Sequence, residues 1–466
     1  MKRTPWVLLC TGMTFSLVAS LAACTDDGGD DDEIGETGEE STTAETTAEE
    51  SAEEETAETT ATTGPSDCAD PNDPNAPVEL ISANIEGDAT WTCDKIWALD
   101  QDVLVTVSGG VLTIDPGTTI KGLGGSALVI EKDARIEAVG TADAPIVFTS
   151  AQPDPGPSDW GGVVLLGSAT SNCGVDCQAE GFVNPPTYAG MDDAHNCGTL
   201  AYVRVEYGGF PISEGNELNG ITFYACGTGT TVHHVQSHMG SDDGIEMFGG
   251  TFDLDHIVVT GAQDDSLDMD QGFRGTAQHV FIHQDPAVGD NMFEISNQGM
   301  VFDATPLTHP TFCNVTAVGS GAGGDKSKGL TIKEGTEGGW FATIITNATG
   351  TPALLNDDAT QLIVEAGGIE IRNNIFFGNL GDFQSGAAML DNDAWKMWVM
   401  DSANANLESD PGLGSAAWGS PDVVPSGDVA GDGTVGSGCE PTNYIGAVEL
   451  VVRIGRKRRG STTRPD

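Results

Sequence analysis

Three short acidic runs recur at close to one spacing: Asp242-Asp243-x-x-Glu246, Asp264-Asp265-x-x-Asp268 and Asp290-Asn291-x-x-Glu294, with Asp270 beside the middle run. If the runs lie on successive layers of a stacked chain, like charges come ~5 Å apart and repel by roughly 3–4 kcal/mol per pair at an effective dielectric near 20. Protons, a metal ion or splaying into water must relieve that repulsion. Three chemistries compete. The acids can be solvated turn residues that cap their own backbone. As hard oxygen ligands in excess they suit Ca²⁺, with Asp242, Asp243, Glu246, Asp264, Asp265, Asp268, Asp270, Asp290 and Glu294 as candidate ligands. As a catalytic pair they would need an acid and a base roughly 6.5–9.5 Å apart, as in an inverting glycosidase. A lyase would want a cationic base beside the Ca²⁺. Arg274 is the cation expected near the runs, Arg204 is the other candidate on this stretch, and Lys326, Lys328 and Lys333 lie beyond it.

The elements that must position these acids are short strands. From Val103 the pattern alternates: Val103, Val105, Val107, then Leu112 and Ile114, then Leu128 and Ile130, then Ile146 and Phe148. Period-2 alternation in short runs punctuated by Gly, Pro and Asp means strands. Similar positions recur at 16 residues (Ile114, Ile130, Ile146; Ile120, Ile136), which suggests stacked coils. A clearer register follows. Tyr-Val-Arg-Val at 202–205, His-Val-Gln-Ser at 234–237, His-Ile-Val-Val at 256–259 and His-Val-Phe-Ile at 279–282 align, with steps of 22 and 23 between the histidines. Val203, Val235, Ile257 and Val280 then form one inward column, and Val205, Ser237, Val259 and Ile282 the next. The fold expected is all-β, a right-handed parallel β-helix solenoid, because stacking buries an apolar face that no single coil can bury. Tyr202, His234, His256 and His279 fall in an outward column, readable as a metal ladder, a sugar-stacking strip or simple surface stacking. Gly161-Gly162 and Gly249-Gly250 read as coil turns, and no Gly loop has the spacing that cradles phosphate.

Composition narrows the partners. The 466 residues carry 71 acids against 19 Lys and Arg, a formal net charge of −52, so nucleic acid and anionic bilayers are excluded as electrostatic partners of the body. Glycine supplies 62 residues and aromatics only 6%, which suits short strands and tight turns. Cys68, Cys93, Cys173, Cys177, Cys197, Cys226, Cys313 and Cys439 form an even set in a chain with export features, which favours disulfides over zinc; the connectivity stays open.

Those export features are at the start. Lys2 and Arg3 precede an apolar stretch from Trp6 to Leu21, too short and interrupted for a convincing membrane span. Leu21-Ala22-Ala23-Cys24 resembles the lipobox of bacterial lipoproteins, which implies a signal over 1–23 and lipidation of Cys24. Thr25, rather than an acid, follows that cysteine, and the resemblance then implies the outer membrane and a surface-exposed, lipid-anchored chain. Residues 24–66 hold sixteen acids and no Lys or Arg, and read as a disordered tether that like charge extends.

A wider resemblance rests on Leu112-Thr-Ile-Asp-Pro-Gly-Thr-Thr-Ile120, Ala127-Leu-Val-Ile130, Gly140-Thr-Ala-Asp-Ala-Pro-Ile-Val-Phe-Thr-Ser150 and Trp160-Gly-Gly162. It continues through Tyr202-Val-Arg-Val-Glu-Tyr-Gly-Gly209, the first two acidic runs and Thr442-Asn-Tyr-Ile-Gly-Ala447. Over about residues 95–447 the chain resembles a group of exported bacterial β-helix lipoproteins, similar in architecture to pectin-lyase-like proteins. The resemblance implies a body over 67–447 and no particular activity; catalytic residues stay unknown. After Ala447 the chain departs from it, with a basic tail over 448–466 that contains Arg456-Lys-Arg-Arg459. Asp428-Val-Ala-Gly-Asp432 is similar to half of a dockerin-type Ca²⁺ loop, but Ala430 and Cys439 stand where ligands belong. The Gly-His-Gly and Arg-x-Lys motifs that accompany paired aspartates in polygalacturonases are absent. Three functions are therefore expected to compete. One is a non-enzymatic surface protein binding a polysaccharide or another surface protein, with calcium. The others are a carbohydrate-active enzyme, lyase or hydrolase, on extracellular polysaccharide, and a purely structural coat.

Overall fold

Each middle coil of the chain lays down one short strand and one long strand, and the long strand bends at a single left-handed residue. The computed structural model describes residues 68–213, 216–324, 327–426, 429–431 and 435–448. The signal, Cys24, the tether, Lys326, Asp428, Asp432 and the basic tail beyond residue 448 lie outside the described residues.

The short strands, among them Ile221–Tyr224, Ile245–Phe248, Leu267–Asp270, Asn291–Ser296 and Lys328–Lys333, pair in parallel into an 11-stranded sheet. The long strands Gly198–Glu206, Thr231–His238, Leu254–Thr260, Thr276–His283, Thr311–Val318 and Gly338–Thr346 join a 15-stranded sheet, again parallel. Their bends fall at Tyr202, His234, His256, His279, Asn314 and Ala342, all with φ between 52° and 57°. Earlier in the chain the long strand is two: Arg135–Val139 pairs with the first half of Gly198–Glu206 and Ile146–Ser150 with the second. Three faces therefore enclose the core, which makes the molecule a parallel β-helix.

The core follows from alternation. Val203, Val235, Ile257 and Val280 stand in register, as do Val205, Ser237, Val259 and Ile282, and all are buried. Both columns are those expected from the 22-residue register. The 16-residue recurrence, however, is not a coil. Ile114 pairs into the first half of the 15-stranded sheet, Ile130 into the 11-stranded sheet and Ile146 into the second half. True neighbours in this region are Leu104 with Ala127 and Leu112 with Ile136. With three short strands per coil, a step of two strands moves a residue to a different face of the next coil, so similar residues recur without stacking.

All eight described cysteines pair, as Cys68–Cys93, Cys173–Cys177, Cys197–Cys226 and Cys313–Cys439. The last closes a separation of 126 residues and fastens the returning C-terminal segment to the outside of the coils. There Gln278 exchanges hydrogen bonds with the backbone of Glu440, Asn314 Nδ2 donates to the Tyr444 carbonyl at 3.0 Å, and Ile445 packs with Ile344 and Ile375. Thr442–Ala447 is thus a strap across three coils. At the C-terminal end of the solenoid two helices cover what would be open core: α1 (Asp358–Ala366), N-capped by Asp357, and α2 (Asn392–Val399), N-capped by Asp391. Trp395 of α2 is fully buried and donates to the Ala353 carbonyl at 3.2 Å.

Candidate functional site

The acidic runs fall at one corner of the solenoid and on the adjoining outer face of the short strands. Because side chains alternate along a strand, Thr222, Glu246, Asp268, Glu294 and Thr331 point outward in one register column, while Ile221, Ile245, Leu267, Phe293 and Leu330 point inward. Asp243 and Asp265 occupy the turns that enter these strands, as does Asn219, and Asn291 opens the strand Asn291–Ser296 at the equivalent place. Asp243 Oδ1 accepts the backbone N–H of Asp265 at 2.9 Å, and Asp265 Oδ1 accepts that of Asn291 at 2.6 Å. Asn219 heads the series by accepting the N–H of Asp243 at 3.2 Å. Asp243 and Asp265 therefore cap backbone, but that of the next coil rather than their own as expected of turn residues, and each uses only one carboxyl oxygen to do so.

Solvation is not the rest of the account. Asp243, Glu246 and Asp265 expose only 7%, 7% and 4% of their surface. Their carboxyls, with that of Asp268, form four overlapping groups in which the ligand atoms lie within 4.8 Å of one another: Asp242/Asp243/Asp264, Asp243/Glu246/Asp268, Asp264/Asp265/Asp290 and Asp265/Asp268/Glu294. Burial, and then the neighbouring charges, push Asp243, Glu246, Asp265 and Asp268 well above the usual carboxylate range. Burial and Asp264 push Asp242 up to about 7. Oδ1 of Asp268 and Oδ1 of Asp290 are buried without a hydrogen-bond partner. Asn219 donates to Glu246 at the head of the outward column.

Two of the expectations about cations need correction. Arg274 does not serve the ladder; it lies against Asp193, at 3.5 Å. Arg204 pairs with Glu206 on the long-strand face. The cations that do meet the acids are Lys328, 2.9 Å from Asp290, and Lys333, 2.6 Å from Glu294. Both sit on the next short strand, in register with Asn291 and Ser296. Burial alone would lower the Lys333 pKa, but Glu294 and Asp268 hold it above the usual lysine range, so it stays an ammonium.

Asp270 stands apart from the four groups. It belongs to the column of Tyr224 and Phe248, and burial pushes its carboxyl up to about 7. That column is roofed by the excursion between Leu166 and Gly198, whose Tyr188 packs 4.7 Å from Tyr224 and hydrogen-bonds Gln271. Tyr224 donates to the Glu180 carbonyl at 3.2 Å, and Glu180, itself pushed up by burial, adds a further acid to this edge. Asn219 was legible in Asn-Gly-Ile-Thr at 219–222, which aligns with Asp-Gly-Ile-Glu at 243–246. Glu180 and Tyr188 carry no such signal, because an excursion follows no coil register.

The outward aromatic column is also present. Tyr202 stacks on His234 with ring centroids 4.3 Å apart, His234 on His256 at 4.4 Å, and His256 meets His279 at 4.6 Å. These are the left-handed bend residues, so one corner sets the whole column. Gly249 and Gly250 are turn residues as expected; a Cβ on Gly250, at φ 98°, would come 2.3 Å from the Cys226 carbonyl. Of the dockerin-like stretch, Asp428 and Asp432 lie outside the described residues and Cys439 is bonded to Cys313.

Fold and site together define a parallel β-helix protein with a recessed acidic ladder on its short-strand face. Residues 83–421 match the pectate-lyase like beta helix domain, and the chain belongs to that family. No curated protein and no solved structure matches the chain.

Proposed function

We propose that this chain is a lipid-anchored protein of the bacterial outer-membrane surface, non-enzymatic, whose acidic ladder binds Ca²⁺ and through it a polysaccharide or another surface protein. The observation that carries the reading is the sharing of carboxylates between overlapping triads. Asp243 and Asp265 each belong to two groups, and one oxygen of each already accepts a backbone N–H of the fold. A Ca²⁺ ion takes six to eight oxygens and tolerates irregular geometry, so neighbouring triads suit ions that share ligands, with water or an anionic ligand completing the shell. A cation also relieves the repulsion that otherwise keeps these buried carboxyls protonated. The anchor rests on Leu21-Ala22-Ala23-Cys24, and the acid-rich stretch after it would hold the body away from the lipid.

Against a lyase, Lys333 is held as an ammonium by Glu294, whereas a lyase base must be free to accept a proton. One observation favours the second reading, a carbohydrate-active enzyme. Asp242 and Asp270, both pushed up to about 7, have the acidity of a general acid at neutral pH. Calorimetric titration of Ca²⁺ into the whole chain, beside Asp243→Asn/Asp265→Asn, separates the readings. Binding lost in the variant, with retention of acidic glycans only in Ca²⁺, supports the proposal. Absence of Ca²⁺ binding overturns it, and turnover of a glycan would move the assignment to the enzyme.

A further inference from the structure

The bend of the long strands carries a second cluster of ligand atoms, chemically unlike the first. Asp255 Oδ2 lies 2.7 Å from Nδ1 of His256, and Asp255 Oδ1 lies 2.9 Å from Nδ1 of His279 on the next coil. One carboxylate thus spans two imidazoles whose rings pack 4.6 Å apart. All three donor atoms fall within 4.8 Å of one another. We propose that Asp255, His256 and His279 form a binding site for a nitrogen-seeking divalent cation of the zinc, nickel or copper kind, separate from the acidic ladder.

The fold itself does not call for histidine here. The same left-handed column continues through Asn314, Ala342 and Asn373, at φ 53°, 53° and 58°. Asparagine and histidine are both residues that tolerate this region, so the backbone accepts histidine at the bend without requiring it. Yet His234, His256 and His279 fill three consecutive bends, and with His233 they make four of the eight histidines in the chain. Tyr202, Asn314, Ala342 and Asn373 fill the equivalent bends, so three histidines in succession are not a demand of the backbone and point to a use for the imidazoles themselves. His233 and His234 add a further sign: their Nδ1 atoms approach to 3.0 Å, so one of the two nitrogens must accept and carries a lone pair.

Geometry and accessibility fit a metal. With bonds of about 2.0–2.2 Å, ligand atoms on a tetrahedral zinc lie ~3.3 Å apart, so the present contacts need to open by only about half an ångström. The side chains of His256, Asp255 and His279 keep 43%, 49% and 21% of their surface exposed, which leaves an entry path and room for water as the remaining ligands. Imidazole ligation favours zinc, nickel and copper, while the all-oxygen ladder favours Ca²⁺, so the two sites select different ions.

The test is a titration of Zn²⁺, and of Co²⁺ as a visible probe, into the whole chain with Ca²⁺ in large excess. The variants are His256→Asn/His279→Asn, which installs the residue found at Asn314 and Asn373, then Asp255→Asn, and Asp243→Asn/Asp265→Asn. Far-UV circular dichroism and melting establish that each variant is folded. Expected is Zn²⁺ binding that survives in the ladder variant and weakens more than about tenfold in both bend variants, since loss even of an outer-shell partner costs about 10–100-fold. Co²⁺ should give the strong visible bands of a low-coordinate, nitrogen-ligated ion in the wild type and the ladder variant alone. Zn²⁺ affinity unchanged in the bend variants, or no Zn²⁺ binding under excess Ca²⁺, overturns the proposal.

Discussion

Asp243 Oδ1 receives the backbone N–H of Asp265 from the next coil at 2.9 Å, a contact that Asn219 makes one coil earlier with Asp243 itself. The position requires a side-chain oxygen and not a charge, since asparagine performs the same task at the head of the column. The ionisable carboxyls at Asp243 and Asp265 are therefore surplus to folding, and that is the reason for assigning them to a ligand.

Replacing both by asparagine should accordingly keep the fold. Asp243→Asn/Asp265→Asn is expected to melt at a higher temperature than the metal-free wild type at neutral pH, because the cost of burying two ionisable carboxyls is removed and the capping oxygens remain. Ca²⁺ affinity should fall more than about tenfold. Alanine at either position should instead cost about 1–3 kcal/mol, the penalty of an orphaned buried N–H. Differential scanning calorimetry and Ca²⁺ titration of the two series check this; equal melting of the Asn and Ala variants would refute it.

Lysine at the end of the ladder competes with any metal there. Lys333→Met removes the ammonium 2.6 Å from Glu294. Metal-free stability should fall, while Ca²⁺ affinity should rise severalfold as Glu294 and Asp268 are released. If affinity drops instead, Lys333 belongs to the binding machinery, and the Asp265/Asp268/Glu294 group is not a cation site.

Metal-free stability should depend on pH in a direction opposite to the usual carboxylate case. Asp242 and Asp270 are pushed up to about 7 by burial, from an ordinary value of 3.8. A carboxyl whose folded pKa is raised binds its proton better in the folded state, so the fold gains stability as pH falls from above 7 toward 4. His283, pushed down to about 4 by burial, acts the other way: its contribution is complete above 6.5 and is lost as pH falls toward 4. His283→Gln should therefore enlarge the rise on acidification, and saturating Ca²⁺ should flatten it. Melting curves between pH 8 and pH 5, with and without Ca²⁺, measure all three effects; a metal-free stability that falls steadily on acidification in His283→Gln would contradict the assignment.

The C-terminal strap should be held mainly by its sulfur bridge. Cys439→Ser opens a separation of 126 residues, and loss of such a bridge typically costs about 2–5 kcal/mol. Limited proteolysis should then cut within 427–447 while the coils up to α2 stay intact. Unchanged protease resistance would mean that Asn314, Gln278 and the Ile445 contacts hold the strap unaided.

Much of this fold is legible because each strand is short, alternating and repeated: the columns through Val203 and Val205 follow from four aligned tetrapeptides. The acid ladder follows from the same register, since Glu246, Asp268 and Glu294 keep their offset from the inward Ile245, Leu267 and Phe293. Legibility ends where a coil is interrupted. The stretch between Ser296 and Lys328 carries a long excursion, so Lys328 and Lys333 read as distant although Leu330 stacks directly on Phe293. The match of Phe-Glu-Ile at 293–295 to Leu-Thr-Ile at 330–332 was the signal that could have placed them. The 16-residue recurrence misled for a different reason. All three faces of a coil are built from the same β-branched alternation, and composition does not say which face a strand occupies. The histidine column was readable as outward but not as left-handed, because no side-chain pattern marks a bend that any of Tyr, His, Asn and Ala can fill.

The bridge between Cys68 and Cys93 encloses the strands Val78–Ile81, Ile85–Glu86 and Ala89–Trp91 in one covalent ring. Tension applied to the chain ahead of Cys68 passes through sulfur directly to Cys93. The opening strands are bypassed and bear no load, so peeling, the failure natural to an end coil, cannot begin at Val78. Force must instead shear the strand just beyond Cys93, Ile96–Leu99, which is hydrogen-bonded on both sides, to Val78–Ile81 and to Thr119–Gly122. A protein moored by its N-terminus in moving fluid would resist drag from its second coil onward.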